Sequence, residues 1–288
     1  MIHTLRDGDR RVGLERPLMR FRPPAGARIA VCAAAFATTV AATHSVRAAG
    51  LPDDTYKALP CRPTVACTAD IVPAGALEFE VGWLRKTSPA PLTQTLPALL
   101  KLSLSDALQL QLASNTVFVH AQGETRALDD GAIGMKLRVV HQAEAMPAIA
   151  FSLAATAEKL GDDTARGAAF IAYVTKDVGP LHFDLNLGAN AARLRGATDT
   201  QPWAALALST ELPKGFGAMV EGYVFRDATP FAQKDAGILS ALVHSPAPWL
   251  IVDAGADVAL FTSTRSYNVF VGGTIILAAL WGGPPAGR

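Results

Sequence analysis

From Leu99 to Leu112 hydrophobic and polar residues take turns along the chain. Leu100, Leu102 and Leu104 are separated by Lys101 and Ser103, and Leu108, Leu110 and Leu112 by Gln109 and Gln111. A period of two puts every Leu on one face of a strand and every polar residue on the other. Ser105-Asp106-Ala107 supplies a turn. Pairing Leu104 with Leu108 then sets Lys101 against Gln111 and Ser103 against Gln109, so register and pattern agree on both strands.

The alternation continues on both sides of this hairpin. Leu77, Phe79, Val81 and Trp83 alternate with Glu78, Glu80 and Gly82, and Ile133, Met135, Leu137 and Val139 with Gly134, Lys136 and Arg138. Ile149, Phe151 and Leu153 face away from Ala150, Ser152 and Ala154; Leu181, Phe183, Leu185 and Leu187 face away from His182, Asp184, Asn186 and Gly188. Phe216–Phe225 carries Glu221 on its polar side, Leu250–Val258 carries Asp253 and Asp257, and Tyr267–Leu277 carries Asn268, Gly272 and Thr274. Only residues 168–176 are ambiguous, because Phe170 and Tyr173 fall on opposite faces.

The pattern predicts about twelve strands of roughly ten residues, the length that crosses a bilayer at a tilt. Short connections (Ser105–Ala107, His141–Pro147, Asp177–Pro180, Leu212–Gly215, Ser245–Pro248) alternate with longer polar ones (Ala121–Asp130, Glu158–Arg166, Arg193–Pro202, Asp227–Asp235). Lys86–Leu92 and Thr262–Ser266 are of middle length. An even strand count with short turns at one end and long loops at the other is the pattern of a bacterial outer-membrane barrel. The fold class read here is all-β: a transmembrane antiparallel up-and-down β-barrel of about twelve strands, made after a cleaved signal peptide.

Composition sharpens this reading. Half the residues are hydrophobic, 18% are charged, and mean hydropathy is +0.24. Beyond residue 50 no stretch has the 18 uninterrupted apolar residues of a spanning helix. Residues 1–48 read as a signal peptide: Arg6, Arg10, Arg11, Arg16, Arg20, Arg22 and Arg28 precede an apolar run from Ile29 to Ala42, and Val46-Arg47-Ala48 is a cleavage site. Met19 offers a second start with a basic region of conventional length. Losing residues 1–48 removes eight Arg and three acids and turns a formal +1 into −4, which gives nucleic acid no purchase.

The organisation that follows is a signal peptide at 1–48, an irregular Pro-rich segment at 49–75, a barrel at 76–277 and a tail at 278–288. Two of the three cysteines, Cys61 and Cys67, fall in the irregular segment. In an exported chain their spacing suits a local disulfide. Outer-membrane lipid and the barrel assembly machinery are the expected partners.

Several stretches resemble a known family. Thr68–Gly82 (TADIVPAGALEFEVG), Leu99–Leu110 (LLKLSLSDALQL) and Asp130–Arg138 (DGAIGMKLR), with Asp253-Ala254-Gly255, are similar to the outer-membrane transporter barrels of the meta-pathway of phenol degradation. That resemblance implies a channel for small hydrophobic or aromatic compounds. The C-terminus departs from it: such barrels end on an aromatic residue, whereas Leu277 holds that place here and Trp281 is followed by GGPPAGR.

Polar-face parity selects the lumen-lining candidates: Glu78, Glu80, Lys101, Gln109, Gln111, Lys136, Arg138, Asp184, Asn186, Glu221, Asp253, Asp257 and Asn268. Glu78 and Glu80 should face Lys101, and barrel closure should bring Asn268 towards the Glu pair. Charges of both signs would form either a weakly selective constriction or an ion-pair network that braces the wall. Phosphate loops, HExxH, GxSxG and CxxC pairs are absent from the sequence, so no cofactor, metal or catalytic residue is expected.

His120, His141, His182 and His244 keep a hydrolase-type barrel with a blocked lumen as the alternative, with Asp184 flanking rather than orienting His182. Trp83, Trp203, Trp249, Trp281 and Tyr267 read as an interfacial aromatic girdle. The signal reading makes a concrete forecast: intact mass of protein from outer membranes should show a chain starting near Ala49 with Cys61 joined to Cys67. Two thiols that alkylate without reduction, or retention of residues 19–48, would refute it.

Overall fold

A computed structural model describes residues 56–86, 93–119, 124–160, 163–226, 235–260 and 266–281. The predicted signal peptide, the start near Ala49, His120, most of the Asp227–Asp235 loop and the tail beyond Trp281 lie outside these residues.

Twelve strands follow one another: β1 (Ala76–Lys86), β2 (Thr93–Ser103), β3 (Leu108–Val119), β4 (Glu124–Val140), β5 (Ala148–Leu160), β6 (Asp163–Val178), β7 (Leu181–Leu194), β8 (Ala197–Leu212), β9 (Phe216–Phe225), β10 (Asp235–Ala247), β11 (Leu250–Ala259) and β12 (Ser266–Ala279). Each pairs antiparallel with its neighbours in sequence, and β1 pairs with β12 to close the barrel. Closure satisfies the backbone of every strand on both sides, which is what permits a sheet to sit in lipid.

The leucine hairpin has the register its pattern demands. Leu100 pairs with Leu112, Lys101 with Gln111, Leu102 with Leu110 and Ser103 with Gln109. The hydrophobic face points outward: Ile133 is 66% exposed, Leu242 62% and Leu153 59%. Polar residues take the interior, where Glu78, Glu80 and Asn186 have no exposure at all. The β6 ambiguity resolves on the same rule. Phe170 stacks on Phe151 outside at 6.1 Å, while Tyr173 is buried inside and bonds Ser152 at 2.8 Å.

Three expected loops are largely strand instead. Residues 124–130 of the expected Ala121–Asp130 loop open β4, and Glu158–Arg166 and Arg193–Pro202 are the ends of β5, β6, β7 and β8, which pair on to their last residues. Arg195 and Gly196 turn the β7–β8 hairpin with φ of 48° and 89°, the left-handed pair of a two-residue connection whose twist matches the strands. Polar composition suggested loops there, but strand pairing continues after the hydrophobic face has ended. The wall from β4 to β8 therefore rises past the lipid, and the expected contrast in connection length holds only over part of the rim. β12 also runs to Ala279, two residues past the expected barrel end.

Residues 56–75 lie inside the barrel. Ala58 N–H bonds the carbonyl of Pro248 in the β10–β11 turn, and Gly75 N–H bonds Ser103 O at the foot of β2, so the segment enters and leaves at the short-turn end. Between these points Ala66, Ala69 and Val72 are buried. The core of this protein is the contact between this segment and the inner wall, with Tyr56, Ala58 and Val72 against Trp249 and Ile276 near the mouth, and Ala66 against Trp203 and Ala205 deeper in.

Lipid exposure gives a direct test. Ile133→Arg should cost about 2–4 kcal/mol of folding stability if near the midplane, and Thr164→Arg, outward on β6 beside the outer hairpin, about 0–1 kcal/mol. Folding titrations into lipid would measure both, and equal penalties would contradict the placement of the outer end of β6 beyond the lipid.

Candidate functional site

The interior charges are organised around the segment rather than around an open passage. Lys101 of β2 forms ion pairs with Glu78 and with Glu80 (2.5 Å to the latter), and its ammonium also donates to the Leu59 carbonyl at 2.6 Å. Glu78 in turn accepts from Leu59 N–H at 2.7 Å, and Glu80 from the N–H groups of Cys61 and Arg62 at 3.0 Å. Across the barrel Glu221 of β9 accepts from Val65 and Ala66 at 2.9 and 2.8 Å. Asn186 of β7 exchanges two bonds with Cys67, and Thr175 of β6 accepts from Ala69 N–H at 2.6 Å.

Lys136 of β4 caps the other side. It donates to the carbonyls of Thr68 and Asp70, and lies 4.5 Å from the centre of the Tyr173 ring. Arg138 pairs with Asp70 at 3.0 Å and bonds Asp106 O at 2.6 Å. Buried carboxylates meet N–H groups and buried ammoniums meet C=O groups, so each wall side chain supplies what an irregular backbone lacks.

Of the remaining candidates, Gln109, Gln111, Asp257 and Asn268 bond within the wall. Gln109 donates to Ser103 and Gln111 to Gln109. Asp257 accepts from Tyr223 at 2.9 Å and from Asn268 at 2.7 Å. Asn268 stands opposite Lys86 on β1, while Glu78 and Glu80 stand opposite Ile276 and Thr274. The expected approach of Asn268 to the Glu pair therefore does not occur; β12 is displaced along β1 relative to a level closure. Asp253 is buried on β11, paired in register with Gly272.

Arg62 is the side chain that sequence reasoning missed. Its guanidinium lies where a Cβ on Gly82 would be and against Gly272, so both inward-facing glycines vacate space for it. A glycine at an inward strand position signals close approach of another group, and two on paired positions of β1 and β12 were the available clue. The aromatic girdle is only partly realised: Trp83, Tyr267 and Trp281 are partly or well exposed, whereas Trp203 and Trp249 are buried. Trp203 faces inward on the same parity as Gln201 and Ala205, and stacks on Phe225 at 5.7 Å.

No Ser–His arrangement forms among the described residues. His182 places Nδ1 2.6 Å from Asp177 and Nε2 3.1 Å from Asp184, so Asp184 bonds the ring directly instead of merely flanking it. With both ring nitrogens on carboxylates, neither is available as a base towards a hydroxyl. His244 stacks on Phe216 at 4.4 Å, and His141 is exposed.

No protein-family profile matches this sequence, and no curated protein does. Solved structures do match. An outer-membrane channel from Pseudomonas putida F1 superposes with a TM-score of 0.52 at 12% identity, covering 72% of this chain and 97% of that one. The NanC porin gives 0.49 at 9% identity, over 69% of this chain and 99% of the other, and the KdgM porin 0.42 at 7%, over 67% and 97%. At these identities the likeness is one of fold, and this chain is an outer-membrane β-barrel.

The clamp predicts a local effect with the barrel intact. Glu221→Ala leaves the Val65 and Ala66 amides without acceptors, and charged hydrogen bonds are worth about 1.5–3 kcal/mol each. Hydrogen exchange at these two amides should rise at least about tenfold, by loss of even one such bond. Heat-modifiable mobility on a gel should be unchanged.

Proposed function

We propose that this protein is a passive outer-membrane channel in which residues 56–75 form a displaceable insert, and that it passes small, weakly polar or aromatic solutes. One observation carries the reading. Residues 59–70 are tied to the wall through side chains of Glu78, Glu80, Glu221, Asn186, Thr175, Lys101, Lys136 and Arg138, and none of the segment joins the sheet. β1 and β12 close the barrel without it. Removing the segment therefore leaves a complete wall around a polar lumen.

The solute class draws support from the inner wall beside the segment. Ile171, Trp203, Tyr223 and Phe225 form one apolar cluster there with Ala66 of the segment, and Leu239 and Phe270 form another on the wall. A planar solute finds faces to stack on next to the polar edge of Asp257 and Asn268. The resemblance to phenol-degradation transporters points the same way; the likeness to a structure described as an outer-membrane channel supports passage but says nothing of the solute.

Planar-bilayer recordings test this. Deleting residues 49–70 should raise conductance well above that of the whole protein. The emptied wall at this level carries Glu78, Glu80, Asp184, Glu221, Asp253 and Asp257 against Lys101, Lys136 and Arg138. The reversal potential under a salt gradient should therefore favour cations, more so after the three basic residues become Gln. Phenol should reduce the current and a hexose should not, and Trp203→Ala with Phe225→Ala should abolish the difference. A deletion variant that folds and stays silent would rule out diffusion through the lumen and leave a blocked barrel, structural or lipid-modifying, as the account.

A further inference from the structure

Cys61 and Cys67 are joined by a disulfide, with their Cα atoms 4.7 Å apart. Six residues of separation make this a local bridge in sequence, but its neighbours make it a long-range one in space. The Cys61 N–H donates to Glu80 on β1. Cys67 is held at both its N–H and its carbonyl by Asn186 on β7, at 2.7 and 2.8 Å. In the closed order of strands, β7 lies six places from β1 in either direction. Glu80, Cys61, the two sulfurs, Cys67 and Asn186 thus form a bonded path between opposite walls, and the sulfurs are its middle.

The residues between the two cysteines reach further parts of the wall at this level. Arg62 rests over Gly82 and Gly272, and Val65 and Ala66 bond Glu221 on a third part of the wall. Three anchor points are held in register by one covalent link. Cutting it returns conformational freedom to the loop and leaves each anchor with only its own hydrogen bonds. Both cysteines are half-buried, so a small reagent has a route to them.

We propose that the Cys61–Cys67 bridge is a thiol-exchange site through which a small dithiol opens the lumen. One thiolate of the dithiol attacks one cysteine sulfur, forming a mixed disulfide and releasing the other cysteine as a thiolate. The second thiol of the reagent then displaces the first cysteine. Two electrons and two protons pass from the dithiol to Cys61 and Cys67, and the reagent departs as its own disulfide. The loop then loses its cross-tie and the segment leaves the axis. This inference rests on the proposed channel function and concerns its regulation.

Single-channel recording of the whole oxidised protein, with dithiothreitol as the dithiol, tests it. The open population should rise about tenfold or more on reduction, as expected for losing a short covalent loop. Alkylation and intact mass should show two modified thiols in protein that still migrates as a folded barrel. Cys61→Ser with Cys67→Ser should be open from the start and indifferent to dithiothreitol. Should that variant fail to fold, the wild-type recording decides alone.

Folded protein shown to be reduced but with unchanged current would overturn the proposal, and so would a bridge that dithiothreitol cannot reduce without unfolding. Glu80→Gln with Glu221→Gln separates this failure from failure of the channel reading. That variant loosens the segment with the bridge intact. Current through it and none through reduced wild type would remove the switch and keep the channel, whereas silence in both and in the deletion of residues 49–70 would remove both.

Discussion

An irregular backbone inside a membrane barrel has nowhere to find hydrogen-bond partners except the wall. Strands satisfy one another around the closed sheet, but residues 56–75 form no strand, and lipid-level burial leaves little water to serve them. The wall answers residue by residue. Acceptors Glu78, Glu80, Glu221, Asn186 and Thr175 meet the N–H groups of Leu59, Cys61, Arg62, Val65, Ala66, Cys67 and Ala69, and donors Lys101 and Lys136 meet carbonyls. The segment's path is fixed by where these side chains stand. They stand where they do because a period-two pattern and a closed register leave no alternative.

This changes what the interior charges are for. Parity alone allowed a selective constriction or a network bracing the wall. The structure shows the wall-to-wall pairs of the second alternative, Lys101 with Glu78 and Glu80, and beside them ties from the same charges to a third body, the segment. Lys101 sits between Glu78 and Glu80, and breaking up such a buried group by removing one partner is costly because the others are left uncompensated. The same side chains that would line an emptied lumen are those that hold it filled. If the segment leaves as proposed, holding and lining become two roles of one set of residues, so the strength of the clamp and the polarity of the vacated lumen could not be tuned independently.

The barrel was legible in the sequence for a physical reason: lipid and interior sort side chains strand by strand, and strict alternation survives in the residues themselves. The hairpin register and the inward placement of Glu221 follow from counting by two. Strand ends were not legible, because beyond the lipid both faces of a strand meet water and the alternation that marks it disappears, as at Ala197–Gln201. The occupant was not legible either. Its ties use backbone atoms, which every residue type offers alike, so Leu59, Val65 and Ala66 carry no mark of the bonds they make. Trp203 misled because a tryptophan near a strand end suits an interface equally well, and only its parity with Ala205 and Gln201 distinguished an inward ring.

Arg62 shows how far the wall has been shaped to its occupant. Gly82 and Gly272 are paired across β1 and β12, and both lack the side chain that their inward parity would place in the lumen. Glycine in a strand interior carries an entropic penalty and contributes no packing, so its presence at two paired positions needs a compensating gain. The guanidinium supplies it by filling the space, with Glu80 two residues along β1 from Gly82 and Asp253 paired to Gly272. A wall built only to conduct would have no use for this gap beside a carboxylate. The same notch lies beside two acids, Glu80 on β1 and Asp253 on β11. The segment and the wall are therefore fitted to one another at the level of single Cβ atoms, and the shape of the inner wall is intelligible only together with the segment that fills it.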